Sequence, residues 1–285
     1  MFHSRVNTIG LMATAITSGA FAMNRVPFVW NDINTREVVR WEGDTAIVRQ
    51  GSSVQKLACK LNIKPNDVAY SVSSFGIPKS WTTFTYTDEN DLAEKQLLLK
   101  AKAASHGIKM MDEGNQFIVD YNWVINQNKS AIIDIAKQIR STARRKGYRS
   151  RRELVGAFSS FVQSLEYRIP PEYRINIEGE KILTAGAMMP LETLSNRWGD
   201  CDSKSMLFAT LVKSIGLVDV CFIVMEEHLF AAVQISPNQE DKTIRHKGKD
   251  WVLIELTDAW PIGRVPQDRL NGVIFGKYRV VDLGN

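Results

Sequence analysis

Of the three cysteines in the chain, Cys59, Cys201 and Cys221, one sits in sequence suited to a nucleophile. Cys201 lies in Arg197-Trp-Gly-Asp-Cys-Asp-Ser-Lys-Ser205, where glycine, aspartate and serine make poor core sequence. Downstream, Leu207, Phe208, Leu211, Val212 and Ile215 recur at helical spacing, and Gly216 stands where a helix-ending glycine belongs. Gly199 supplies the turn into that helix, so Cys201 is expected at its N-terminus. Unpaired backbone N–H groups and the positive end of the helix dipole favour a thiolate there and lower its pKa. The same N–H groups can hold an oxyanion forming on an attacked carbonyl. Asp200 and Asp202 flank the thiol and would oppose that shift if they turned toward it; Asp202 is expected to satisfy helix-end amides instead. Cys59 and Cys221 read as small, inert hydrophobes.

A sulfur nucleophile needs a base that later protonates the leaving amine. His228 opens the strand-like run His228-Leu-Phe-Ala-Ala-Val-Gln-Ile235, whereas His3 and His106 lack apolar context and His246 falls in a charged, hairpin-like loop. A third group should orient the imidazole. Glu255, inside Trp251-Val-Leu-Ile-Glu-Leu-Thr257, is a carboxylate among apolar residues and requires a partner. Asp258, just past that strand, competes for the same role.

Gly-Asp-Cys201-Asp-Ser-Lys-Ser before a helix, then His228 opening a strand, then Trp251-x-x-x-Glu255-x-Thr257, resembles the bacterial transglutaminase-like superfamily. The upstream stretch Leu154 to Tyr167 and Pro190-Leu-Glu-Thr-Leu194 extend the resemblance over about Gln116 to Leu283. It implies a papain-like fold with a Cys-His-Asp triad: Cys201 as nucleophile, His228 as base, and Glu255 in the slot usually held by Asp, with Asp258 as the alternative. It also implies an upstream aromatic completing the oxyanion hole, for which Tyr167 is the candidate with Trp198 behind it, and Asp202 falls in the same cleft. The implied activity is attack on a peptide or carboxamide carbonyl through a thioester, resolved by water or by a second amine. Hydrolysis is favoured because no acyl-acceptor site is recognisable. The implied substrates are proteins or peptides, including cell-wall peptides. The alternative is an inactive envelope module that binds glycan or protein on the same scaffold. No cofactor, metal or specific nucleic acid is expected.

These residues have to be brought together by α+β architecture, with a helical half presenting Cys201 against an antiparallel sheet. The strands expected are Val218 to Met225, His228 to Ile235, Trp251 to Leu256 and Val273 to Val281. Ser150 and Glu153 form a capping box that opens a helix whose inner side carries Leu154, Phe158, Phe161, Val162 and Leu165. Helices are also expected at Ser53 to Leu61, Asp91 to Ser105 and Ser130 to about Arg145. Strand-like alternation is expected in Trp81 to Tyr86 and Gln116 to Ile125.

Three segments follow. Residues 1–22 resemble a signal peptide, with Arg5, an apolar run and Ala20-Phe-Ala22, which implies a periplasmic or secreted protein, with a cytoplasmic one as the alternative. Residues 23–115 are expected to form a small N-terminal α+β region, within which 47–68 faintly resembles a LysM glycan-binding module. Residues 116–285 carry the transglutaminase-like pattern. The chain has 285 residues, 44% hydrophobic and 24% charged, which excludes collagen-like, disordered and disulfide-dense classes. No apolar run is long enough for a multi-span membrane protein. A net charge of +5 is a mild bias. The concentration of Arg140, Arg144, Arg145, Lys146, Arg149, Arg151 and Arg152 reads as a solvated helix junction, with a polyanion-binding face as the competing reading.

Overall fold

The structure, a computed structural model, describes residues 25–34, 36–42, 45–51, 55–111 and 116–284, with the backbone alone for 36–42 and 45–51. Residues 1–22, where the signal-peptide expectation falls, lie outside them. The architecture is mixed α and β with antiparallel sheets. Strand β1 (Arg25–Asp32) pairs over eight residues with β4 (Gln55–Asn62), and between them β2 (Arg36–Glu42) pairs with β3 (Thr45–Gly51). The helix expected at Ser53 to Leu61 is therefore a strand. Leu57 and Leu61 point inward on alternate sites with half-buried Cys59 between them, a period-2 face that also satisfies helical spacing over so short a run. The 47–68 stretch thus spans the end of β3, β4 and the start of α1 (Pro65–Ser74).

After β5 (Ile77–Pro78), the residues from Trp81 to Tyr86 begin in a short 3-10 turn and continue irregularly, not as a strand. Trp81 instead packs its ring edge-on against His106 and lies under the Lys102 ammonium. Helix α2 (Glu89–Ser105) starts one cap earlier than expected, because Asp88 accepts from the Asn90 and Asp91 N–H groups. Strands β6 (Ile108–Met110) and β7 (Phe117–Val119) form a hairpin, and α3 (Tyr121–Arg145) follows at once. The strand expected to reach Ile125 ends at Val119 because Asp120 caps the Trp123 N–H and turns the chain into helix. Tyr121 is thereby moved from a strand face to the first turn of a helix.

Helix α4 (Arg151–Gln163) opens with the expected reciprocal Ser150–Glu153 capping box. The short strands β8 (Glu166–Tyr167), β9 (Tyr173–Ile175) and β10 (Lys181–Leu183) lead to α5 (Pro190–Asn196), and β11 (Trp198–Gly199) runs directly into α6 (Cys201–Ser214). The rest is a five-stranded antiparallel sheet in the order β14-β15-β13-β12-β16, made of β12 (Val220–Val224), β13 (Leu229–Val233), β14 (Thr243–His246), β15 (Lys249–Ile254) and β16 (Arg279–Asp282). The segment expected as a strand from Val273 divides: Val273 belongs to α7 (Gln267–Ile274), and pairing with β12 begins at Arg279.

One apolar core joins both parts of the chain. It takes in Phe28, Trp30, Leu57 and Leu61 from the N-terminal strands, Ile132, Ile139, Phe158 and Phe161 from α3 and α4, and Val220, Phe222 and Val252 from the sheet. Helix α6 lies at its centre, with every residue from Ser203 to Val212 buried. A helix enclosed on all sides is a rigid mount for whatever projects from its first turn. The N-terminal strands are fastened to α4 by polar contacts. Trp30 Nε1 donates to the Ala157 carbonyl, and buried Asp32 accepts from the Tyr148 and Ser160 hydroxyls.

Candidate functional site

Asp200 caps α6 by accepting from the Ser203 N–H at 3.0 Å, and this places Cys201 at the first helical position. Gly199 cannot be larger without cost, since a Cβ there would lie 3.0 Å from both Ser203 Cβ and Thr193 Cγ2. The sequence expectation gave the amide-satisfying role to Asp202, but Asp200 performs it. Asp202 turns toward the thiol, with Oδ1 3.9 Å from the Cys201 sulfur and Oδ2 accepting from the Tyr121 hydroxyl at 3.3 Å.

The sheet brings the other groups in. Helix α6 packs on β13, and the backbone N–H groups of Leu229, one residue after His228, and of Asp202 act on the Cys201 sulfur in the direction that favours its thiolate. His228 Nε2 lies 2.8 Å from Glu255 Oε2, with His228 8% and Glu255 1% exposed at the side chain. The imidazole rests edge-on against Phe230, with ring centroids 4.6 Å apart. The second oxygen of Glu255 accepts from the Thr257 N–H at 2.7 Å and the Thr257 hydroxyl at 2.6 Å. Both carboxylate oxygens are thus committed, the arrangement a buried acid requires. Gln163 Nε2 fixes the backbone here by donating to the Glu255 and Trp260 carbonyls at 2.8 and 2.7 Å. Asp258 is exposed and accepts from the neighbouring Ala259 N–H, so the carboxylate on the imidazole is that of Glu255.

Tyr167 reaches the site through a parallel two-stranded ladder in which it faces Gly199, with the Arg168 N–H donating to the Gly199 carbonyl at 3.2 Å. Its side chain is half exposed, and its phenol is pushed upward by burial and by the nearby charges of Cys201 and Asp200, so it stays a neutral O–H donor. Trp198 is half-buried, with the Arg168 guanidinium 5.0 Å over its ring. Gly263 packs against Asp241, which holds Arg152 in a two-pronged ion pair at 2.7 and 2.8 Å. The 520 Å³ hollow on that side is lined by Asp32, Tyr148, Arg152 and Asp241 among others, and by none of Cys201, His228 and Glu255.

The electrostatics depart from the sequence expectation at the sulfur. Burial, then Asp202 and Asp200, push the Cys201 thiol up to about 12, and the Leu229 and Asp202 N–H groups only partly offset them. Helix-end amides do not win against burial joined by two adjacent carboxylates. Asp202 itself rises to about 6 through burial and the charge of Asp200, against the lowering effect of the Tyr121 hydroxyl and His228. Burial would raise Glu255, but the hydrogen bond and charge of His228 and the two bonds from Thr257 hold it below the usual carboxylate range. Replacing Asp202 by Asn removes one of the charges that hold the proton on sulfur. Iodoacetamide labelling of Cys201 at about pH 9 should then rise roughly tenfold or more, measured by peptide mapping. An unchanged or slower rate would show that Asp202 does not act on the thiol.

Two participants were missed in the sequence. Tyr121 was hidden by the wrong element. Lys204 is fully buried, and its Nζ donates to the Leu165 carbonyl at 2.9 Å and the Thr257 carbonyl at 3.3 Å. Its signal was present: Lys204 falls three and four residues before Leu207 and Phe208, on the apolar stripe of α6, where a lysine needs partners. The other two thiols are free, with Cys221 buried and Cys59 half-buried and pushed up to about 11 chiefly by burial.

The basic cluster is partly accounted for by local structure. Arg149 donates to the Arg144 carbonyl at the end of α3, Arg145 donates to Ser141 and Thr142, and Arg152 is taken up by Asp241. Among the described residues, no group of three or more His, Cys, Asp and Glu could hold a metal ion, and no helix is long and apolar enough to cross a membrane.

No family model matches the chain, and no curated protein matches it.

Proposed function

We propose that the protein is a thiol-dependent acyl-transfer enzyme of the transglutaminase-like type, with a papain-like core, that hydrolyses a peptide or carboxamide bond through a Cys201 thioester. The observation that carries this reading is the 2.8 Å pairing of His228 with buried Glu255, with His228 immediately before the strand on which the Cys201 helix packs. A carboxylate that orients an imidazole next to a thiol is the arrangement nucleophilic acyl transfer needs.

Because burial, and then the neighbouring acids, keep the resting thiol protonated, the sulfur and imidazole do not wait as a preformed ion pair. The thiol proton passes to His228 as sulfur bonds to the carbonyl carbon, and Glu255 stabilises the imidazolium. The Tyr167 hydroxyl is the side-chain donor offered to the oxyanion. Collapse of the adduct expels the amine, which takes the proton from His228 and leaves a thioester. Water then gives a proton to His228 and its oxygen to the acyl carbon, and the acid departs as the thiol is reprotonated. An amine in place of water would leave a new amide by the same route. The half-buried cysteine does not line the large hollow, which suits a chain laid across the surface better than a small molecule enclosed in a pocket. A peptide or protein substrate follows.

Profiling a peptide library, with and without an added primary amine, tests the reading. Wild type should cleave or transamidate a subset, and Cys201→Ala should do neither. Turnover surviving in Cys201→Ala overturns it. Peptide or glycan binding in both forms without turnover in either would favour a binding module.

A further inference from the structure

The nucleophile's own helix carries a buried charged group that the reaction above does not use. Lys204 lies one turn below Cys201, with no exposed surface, in the core that surrounds α6. Among the described residues, no carboxylate pairs directly with its ammonium. The ammonium bonds two backbone carbonyls that belong to different parts of the chain. One is Leu165, just before the strand that carries Tyr167; the other is Thr257, two residues after Glu255 in the segment that follows β15. Thr257 in turn gives both its N–H and its hydroxyl to Glu255 Oε1, leaving Oε2 for His228. An unbroken chain of contacts therefore runs from Lys204 through Thr257 and Glu255 to His228.

We propose that Lys204 is a positioning residue for the acid–base pair: anchored in the nucleophile's helix, it fixes the Thr257 turn that holds Glu255 against His228. The inference rests on the Cys201–His228–Glu255 reading and extends it. A lysine buried only to fill space would be replaceable by methionine of similar length, and burying a charge without a task is costly. Here the charge has one: it satisfies two carbonyls that no strand ladder reaches, and it lies close enough to Glu255 and Asp258 to be drawn toward the charged form. Burial nonetheless lowers it to about 8. Losing it frees the Thr257 turn, so the imidazole loses its orientation although Cys201, His228 and Glu255 are all present. Small misplacements of reacting groups cost about 10²-fold in rate.

The test is iodoacetamide labelling of Cys201 in the full chain, followed by peptide mapping at about pH 7, where the imidazole must assist, and at about pH 10, where it matters less. Thermal melting is recorded alongside. Lys204→Met is expected to label about tenfold or more slowly than wild type at the lower pH and within about threefold at the higher pH, with His228→Ala as the reference for lost assistance. If Lys204→Met does not fold, Lys204→Gln, whose shorter neutral side chain cannot reproduce the ammonium's two bonds, is read in the same way. A folded variant whose labelling ratio between the two pH values matches wild type, while that of His228→Ala falls, shows that Lys204 stabilises the fold only. If His228→Ala leaves the ratio unchanged as well, the thiol–imidazole reading fails and takes the positioning role with it.

Discussion

Replacing His228 by Ala should slow iodoacetamide labelling of Cys201 at about pH 7 by about 10²-fold or more, with the difference shrinking as the pH rises. General-base assistance contributes about 10²–10⁴-fold, and here it must supply nearly all the driving force, because the thiol is pushed up to about 12 by burial and by Asp202 and Asp200. A cysteine activated by the helix end alone would be indifferent to the imidazole. The two accounts therefore separate in a single variant: a His228→Ala protein that labels at the wild-type rate would place the activation in the helix. The same substitution should abolish turnover of any peptide substrate, since the leaving amine then lacks a proton donor.

Removing the acid should damage stability and chemistry together. Glu255 is 1% exposed and accepts three hydrogen bonds, from His228, the Thr257 N–H and the Thr257 hydroxyl. Glu255→Ala leaves those donors unpaired in a closed space, and breaking a buried pair from one side costs about 3–5 kcal/mol. For a chain of this size that is a fall in Tm of roughly 6–20 °C. The pH dependence has a definite sign. The folded carboxyl is held below its unfolded value by His228 and Thr257, with burial opposing, so its contribution is complete above the unfolded pKa and is lost as pH falls through the folded one. Acid should therefore destabilise wild type more than Glu255→Ala, and the two melting temperatures should converge below about pH 4. Parallel melting curves across that range would mean that Glu255 is not the paired acid described here.

The site was legible where local chemistry dictates it. Glycine, aspartate and the apolar stripe from Leu207 to Ile215 placed Cys201 at a helix start, and Ser150 with Glu153 marked α4. A lone acid among Val252, Leu253 and Ile254 announced that Glu255 needs a partner. What failed depends on pairings distant in sequence. Strand β4 looked helical because Leu57 and Leu61 are spaced alike in both readings, and only β1, some thirty residues earlier, decides between them. Tyr121 moved into a helix because Asp120 caps it. Its partner Asp202 is 81 residues away, and the carbonyls that hold Lys204 are 39 and 53 residues away. The direction of the thiol's shift failed for the same reason. Burial, the largest cause, is set by the packing around α6, and sequence shows two aspartates beside a cysteine but not which of them caps the helix and which is aimed at the sulfur.

The most direct test of the central claim is to trap the acyl group on sulfur. The full-length protein is mixed with the peptide pool, quenched in acid within seconds and digested for mass mapping. The account predicts an acyl mass on the Cys201 peptide of wild type that disappears on longer incubation and never forms in Cys201→Ala or His228→Ala. Product formed with no adduct at Cys201, or an adduct that forms equally well without the imidazole, would contradict it.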